Sequence, residues 1–216
     1  APKRCSVVAR YEGSDKSIPG SVVHGHIDVV PANAADWSVD PFSGLIKDGC
    51  IWGRGAVDMK NMDAMILGVF RLWARHNFKP KRSMVIVFFA DEEAGGIFGS
   101  RWMAQNHPDV FAGCTEAVSE VGGFSLTLNS GKRIYLIETA EKGIEWMKLT
   151  ASGLAGHGSM VNKENAVTRL ADAISRIGNY VWPRRITKTN ETFLKKVAEL
   201  TGQQYDASNL EPVLAE

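Results

Sequence analysis

An uninterrupted run of seven apolar residues, 84–90, is followed directly by three acids. The run contains β-branched and aromatic residues and no polar alternation, which is typical of a strand buried on both faces. Ligands of open α/β sheets bind beyond the carboxyl ends of the strands, so Asp91, Glu92 and Glu93 are expected at a functional site. Acids before paired glycines also occur in solvated turns, so this segment alone leaves both interpretations open.

The remaining pattern predicts alternating strands and helices. Turn residues separate two β-rich runs, 5–11 and 21–30, which indicates neighbouring strands. Apolar residues at three- and four-residue steps predict a helix from Asp58 to about His76. Weaker patterns predict helices at 98–106, 165–177 and 191–200, and strands at 45–46, 51–52, 115–118, 124–128, 133–137 and 143–152. Residues 201–216 show little pattern.

The composition favours a soluble protein that acts on small molecules. The 216 residues are 44% hydrophobic, enough to bury a core as one domain or as one plus part of another. A net charge of +1 with scattered Lys and Arg gives no argument for nucleic acid. The three widely spaced cysteines match neither a disulfide framework nor a zinc ribbon, so a reduced, cytoplasmic chain is expected. No apolar segment approaches the ~20 residues that span a bilayer, so no membrane partner is expected.

Three residues at alternate positions of the second strand, His24, His26 and Asp28, share one face. A metal-bound imidazole usually donates its other N–H to a carboxylate, which suggests a pairing of His26 with Asp28. Taken alone, the pair is a weak signal, and a surface hydrogen bond explains such a pair more often than a metal site does. We expect His24 to pack or to form a hydrogen bond rather than to bind metal. Asp58 is expected to cap the following helix, a role compatible with metal binding.

Several segments occur together in the order of a known enzyme family. They are HGHIDVVP at 24–31, WGRGAVDMK at 52–60, DEEAGG at 91–96, Glu120, and GHGS at 156–159. This closely resembles the two-zinc aminoacylase and carboxypeptidase family, which includes acetylornithine deacetylase, succinyl-diaminopimelate desuccinylase and glutamate carboxypeptidases. The resemblance extends to about residue 177. It implies an α/β fold, with a mixed, largely parallel sheet flanked by helices in the first part of a zinc catalytic domain (1–137). Residues 138–216 would begin an inserted α+β lid and dimerisation domain.

The resemblance also implies two metal ions per active site. One Zn²⁺ would bind His26, Asp58 and Glu120, and the second would bind Asp58, Glu93 and a histidine near the family's carboxyl end. Imidazole and carboxylate ligands suit zinc, and cobalt or manganese fits similar ligands.

The remaining implied roles are catalytic. Asp28 would be the hydrogen-bond partner of His26, and Glu92 the general base. His157, in the lid, would stabilise the negative charge of the tetrahedral intermediate. The implied reaction is hydrolysis of an amide bond in a small peptide or an N-acyl amino acid, by an enzyme that forms a homodimer through its lid.

The sequence departs from the family at both ends. It lacks the family's amino-terminal helical segment, it ends before the lid is complete, and no histidine follows His157. We therefore expect a truncated chain with one complete set of metal ligands. The alternative is a catalytically silent fragment that binds one metal ion or a partner subunit. A nucleotide-binding domain is disfavoured, because no Gly-rich phosphate loop follows the first strand.

Overall fold

The computed structural model of the chain describes residues 5–120 and 125–215. These residues belong to two compact units, Ala1–Gly123 and Phe124–Glu216. The domain boundary after residue 137 that the resemblance implies stays a prediction.

The described strands and helices follow the predicted order closely. The strands are β1 (Val7–Tyr11), β2 (Gly20–His26), β3 (Leu45–Lys47), β4 (Cys50–Trp52), β5 (Met84–Phe89), β6 (Cys114–Val118), β7 (Ser125–Thr127) and β8 (Arg133–Tyr135). The α-helices are α1 (Lys60–Arg75), α2 (Ser100–Asn106), α3 (Ala166–Gly178), α4 (Lys188–Thr201) and α5 (Glu211–Leu214). Short 3₁₀ helices cover Ala34–Asp36 and Pro108–Phe111. No helix in this part of the chain is both long and apolar enough to cross a membrane.

The first unit contains a four-stranded mixed sheet in the order β1-β5-β2-β6. β5 pairs antiparallel with β1 and parallel with β2, and β6 pairs parallel with the other side of β2. The prediction that the first two strands are neighbours is therefore wrong, because β5 lies between them. β2 also ends at His26, so Asp28 lies beyond the strand on which it was expected.

The predicted burial of β5 is confirmed. Val85 is 1% exposed and Val87 is 0% exposed, and both pack in one cluster with Val22 of β2 and Met103 of α2. α1, which lies in the connection from β2 to β5, packs against β2. A central parallel pair covered by helices is the arrangement that the unbroken apolar run requires.

The second unit consists of the β7–β8 hairpin and α3 to α5. Its buried cluster joins α4 to α5 through Leu194, Val197, Ala198, Leu210 and Val213. The sequence pattern did not predict α5. Part of the hairpin prediction, Phe124, lies outside the described residues.

The predicted strand at 143–152 is wrong, because these residues form no regular structure. Ile144, Trp146 and Met147 are 76%, 88% and 72% exposed. Apolar and β-branched residues favour an extended backbone, but a strand also needs a neighbour for its N–H and C=O groups. No described segment pairs with this one.

Candidate metal centre

His26 ends β2 and is 2% exposed. Its Nδ1 atom lies 3.0 Å from the main-chain oxygen of Asp28, and its Nε2 atom lies 3.0 Å from Oδ1 of Asp58. A carbonyl oxygen can only accept a hydrogen bond, so Nδ1 carries a proton and donates it. In the neutral imidazole, the lone pair of Nε2 then faces a carboxylate. That contact is favourable only if a proton or a cation lies between the two groups.

Two further carboxylates lie near the same nitrogen. Oε2 of Glu120 is 3.5 Å and Oε2 of Glu92 is 3.8 Å from Nε2 of His26. Ligand atoms of His26, Asp58 and Glu120 all lie within 4.8 Å of one another. In the described ranges, this is the group whose atoms could hold a metal ion.

The topology of the sheet explains why residues so distant in sequence meet here. β2, β5 and β6 run parallel, so their carboxyl ends share one edge. His26 ends β2, Glu92 and Glu93 follow β5, and Glu120 follows β6. This is the edge at which open α/β sheets bind their ligands.

Asp58 comes from the connection before α1. The expectation that it caps this helix is wrong, since the N-cap residue is Met59 and no side chain caps the first turn. The peptide bond between Asp58 and Met59 is cis. The carboxylate of Asp58 faces His26 instead of the amides of the helix.

Asp28 uses its main-chain and side-chain oxygens for different partners. The main-chain oxygen accepts the N–H of His26, and the carboxylate lies farther from that ring nitrogen, at 3.7 Å. Its two carboxylate oxygens accept hydrogen bonds from the main-chain N–H groups of Glu92, at 3.0 Å, and Glu93, at 3.1 Å. The side chain of Asp28 therefore holds the acid segment after β5 at the edge of the sheet.

Asp91 organises the turn that carries the neighbouring acids. It is 5% exposed and adopts a left-handed backbone conformation with φ of 71°. Its carboxylate accepts the N–H of Phe98, and its main-chain oxygen accepts the N–H of Gly96. The sequence indicated an acid triplet, but the structure separates this buried turn-forming member from the more exposed Glu92 and Glu93.

The clustered carboxylates shift one another's proton affinity. Burial, a hydrogen bond with Asp58 and the charges of Asp58 and Glu92 raise the pKa of Glu120 to about 7. Burial, followed by the charge of Asp58, also raises the pKa of Glu93. Burial alone would lower the pKa of His26, but the Asp28 carbonyl and the surrounding carboxylates raise it overall. These pKa shifts indicate that the cluster carries more negative charge than its own residues neutralise. A bound proton or cation would balance that charge.

The ligand set fits a divalent metal ion. Catalytic zinc sites commonly use three protein ligands, drawn from imidazole and carboxylate groups, and keep a fourth position open. His26, Asp58 and Glu120 supply such a set. Glu93 lies outside this group of three, although the charge of Asp58 acts on it.

A cavity of about 430 Å³ adjoins the acid segment. Its lining includes Cys5, Asp28, Val30, Asp91 and Glu93. Its volume is in the range of small-molecule binding sites, which are typically ~300–1,000 Å³.

The two remaining histidines of the motifs have different surroundings. His24 forms a 3.0 Å hydrogen bond with the hydroxyl of Ser119 and packs edge-on against Phe89, which confirms the expected packing role. His157 belongs to the second unit, is exposed, and lies with Nδ1 2.8 Å from Oγ of Ser159. Its implied role, to stabilise the negative charge of the tetrahedral intermediate, stays a prediction.

Comparison with protein-family models gives a match to peptidase family M20/M25/M40 over residues 22–203. The chain is 36% identical to probable carboxypeptidase S-like 2 of Dictyostelium discoideum, over 81% of this chain and 34% of the relative. It is 37% identical to the N-fatty-acyl-amino acid synthase/hydrolase PM20D1 of Mus musculus, over 79% and 36%. It is 28% identical to aminoacylase-1 of Sus scrofa, over 90% and 49%. The chain thus spans about a third to a half of the length of these relatives.

Two solved structures share the fold. An M20 family metallo-carboxypeptidase, Sso-CP2 from Sulfolobus solfataricus, aligns with a TM-score of 0.59 and 18% identity, over 97% of this chain and 51% of that one. The di-peptidase Dug1p from Saccharomyces cerevisiae aligns with a TM-score of 0.57 and 18% identity, over 97% and 48%.

Proposed function

The chain belongs to peptidase family M20/M25/M40, and on that premise we propose that it is part of a metal-dependent hydrolase of small peptides or N-acyl amino acids. The proposal rests mainly on the position of the buried His26 side chain. Its Nε2 atom lies within 3.5 Å of the carboxylates of both Asp58 and Glu120. The names of the relatives, a carboxypeptidase, an N-fatty-acyl-amino acid synthase/hydrolase and an aminoacylase, support a substrate with an amide bond beside an amino acid.

His26, Asp58 and Glu120 would hold one Zn²⁺ ion, and Asp58 and Glu93 would contribute to a second. A divalent ion at such a site lowers the pKa of a water molecule and polarises a carbonyl group. The protonated Nδ1 of His26 supports this assignment, because it leaves Nε2 free to act as a ligand. Cobalt and manganese remain alternatives to zinc, since they accept similar ligands.

Glu92 is our candidate for the general base. It lies outside the three-ligand group, its side chain is 52% exposed, and Oε2 lies 3.8 Å from His26. Its carboxylate would accept a proton from the attacking water and return it to the nitrogen of the leaving amine. The hydrogen bond from its main-chain N–H to Asp28 would keep that carboxylate at the edge of the sheet.

His157 would complete the site of the whole enzyme by donating a hydrogen bond to the oxygen that becomes negatively charged. A homodimer through the lid and a cytoplasmic location stay predictions.

A second candidate is a chain that binds one metal ion without catalysing hydrolysis. One observation favours it: among the described residues, a single three-residue ligand group is assembled.

Hydrolysis of dipeptides and N-acyl amino acids by the zinc-loaded chain tests the proposal. We expect Glu92→Gln to bind zinc normally and to lose about 10²- to 10⁴-fold in rate, the usual contribution of a general base. Glu141→Gln, at an exposed glutamate of the second unit, serves as the matched control and should retain the parent rate. Zinc binding without hydrolysis of any substrate would favour the second candidate. Equal rates for Glu92→Gln and the parent would refute the role of Glu92.

A further inference from the structure

Asp63 is a half-buried acid of α1 for which the proposed mechanism has no use. It lies on the buried face of α1, at helical spacing from Met59 and Ile66. Both of its carboxylate oxygens are buried, and neither has a hydrogen-bond partner in the described part of the chain. A position on this face of an amphipathic helix normally carries an apolar side chain.

The carboxylate packs beneath the end of β2 that carries His26. Its Oδ1 atom lies against Gly25, so closely that a Cβ atom at this glycine would overlap it. The methyl group and the sulfur of Met59 lie 2.9 Å and 3.3 Å from the same position. Because His26 directly follows Gly25, the charge of Asp63 lies close to the candidate metal centre without belonging to its ligand group.

Structural stabilisation does not explain this residue. An unpaired carboxylate in the interior is unfavourable, and burial raises the pKa of Asp63 accordingly. The nearby cation, Lys60, donates instead to the main-chain oxygen of Ile27, at 2.6 Å. The positive charges of Lys60 and His26 attract Asp63 only through space. An apolar side chain would pack at this position without the cost of removing a charge from water.

We propose that Asp63 is a buried countercharge that strengthens cation binding by His26, Asp58 and Glu120 without being a ligand. The inference rests on the proposed function, since it concerns the same metal centre. A charge in a poorly hydrated region acts over several ångströms with little screening by salt. The unfavourable burial of Asp63 in the metal-free chain is then offset by attraction to the bound ion.

The test compares Asp63→Asn and Asp63→Leu with the parent chain. Zinc affinity is measured by calorimetry at about 0.05 M and about 0.5 M salt, where surface charges are screened to very different extents. The unfolding midpoint of each metal-free chain is measured in urea. Asp109→Asn is the control, because Asp109 is exposed and precedes β6, at the opposite end of that strand from Glu120.

We expect both Asp63 variants to bind zinc about 10- to 100-fold more weakly at both salt concentrations, as is typical for groups just outside a metal's ligands. Their metal-free unfolding midpoints should equal or exceed that of the parent, and Asp109→Asn should match the parent in both measurements.

Three results would overturn the inference while leaving the metal site intact. These are unchanged zinc affinity in both Asp63 variants, failure of both to fold, or an equal loss of affinity in Asp109→Asn. Absence of zinc binding by the parent would overturn the proposed metal site and the inference together.

Discussion

The carboxylate of Asp28 accepts a hydrogen bond from the main-chain N–H of Glu92, at 3.0 Å. The family resemblance implies that this carboxylate orients His26, but the ring nitrogen of His26 lies closer to the main-chain oxygen of Asp28. The two arrangements predict different consequences when the carboxylate is altered.

Replacing Asp28 by asparagine should loosen the acid segment rather than the imidazole. The variant keeps the main-chain oxygen for His26 but loses one of two acceptors for the N–H groups of Glu92 and Glu93. A hydrogen bond to a charged group contributes about 1.5–3 kcal/mol, so these two amides should exchange hydrogen faster. Amide exchange measured by NMR checks this, with exposed Asp36→Asn as the control. Unchanged exchange at Glu92 and Glu93, together with a changed His26 ring, would contradict this assignment.

Glu120 should make the metal-free chain less stable as the pH rises. Its pKa of about 7 exceeds the ordinary 4.5, so the folded state binds the proton more tightly than the unfolded state does. The resulting stabilisation is complete below about pH 4.5 and is lost as the pH rises through about 7. The pKa of His26 is also raised above its ordinary value of 6.5, so protonated His26 stabilises the folded chain too. That stabilisation is lost as the pH rises through the raised pKa.

Urea unfolding of the metal-free chain at about pH 5 and about pH 8 tests this linkage. The difference in unfolding free energy between Glu120→Gln and the parent should shift in favour of Glu120→Gln as the pH is raised from the lower to the higher value. Glu12→Gln is the control, because hydrogen bonds from Lys16, Arg10 and Ser83 hold the pKa of Glu12 far below this range. Parallel pH profiles for Glu120→Gln and the parent would show that Glu120 titrates normally.

The centre of the sheet offers a paired test of the fold. Val87 of β5 is 0% exposed, whereas Val7 of β1, the neighbouring strand, is 55% exposed. Val87→Ala should lower the free energy of unfolding by about 1–3 kcal/mol through lost burial and a residual cavity. Val7→Ala should lower it by less than about 0.5 kcal/mol. Equal losses in urea titrations of the two variants would contradict the position of β5.

The spacing of apolar residues was sufficient to predict β5 and α1, because the buried positions of a strand or a helix follow the repeat of its own backbone. The same spacing was insufficient to predict the order of the strands in the sheet. Val7 of β1 lies beside Phe88 of β5, a pairing between residues about eighty positions apart that no local pattern encodes. The segment 143–152 shows the converse, since its apolar residues favour an extended backbone but no described strand pairs with it.

The candidate site was predictable where motif and topology agree. His26, Glu92, Glu93 and Glu120 follow or end parallel strands, so the sheet itself brings them together. The partners of Asp28 were not predictable, because an aspartate two residues from a histidine has no sequence signal for main-chain amides sixty-four and sixty-five residues away. Asp63 does leave a signal in the sequence, because it is an acid on the apolar face of α1.

Zinc binding by the purified chain is the decisive test of the metal centre formed by His26, Asp58 and Glu120. The stoichiometry and affinity of zinc are measured on the metal-stripped parent and on Asp58→Ala, with Asp109→Asn as a control for loss of a surface charge. We predict at least one tightly bound ion per chain in the parent and the control, and loss of that ion in Asp58→Ala. A parent chain that binds no zinc, or an Asp58→Ala variant that binds it as tightly as the parent, would rule out this metal centre.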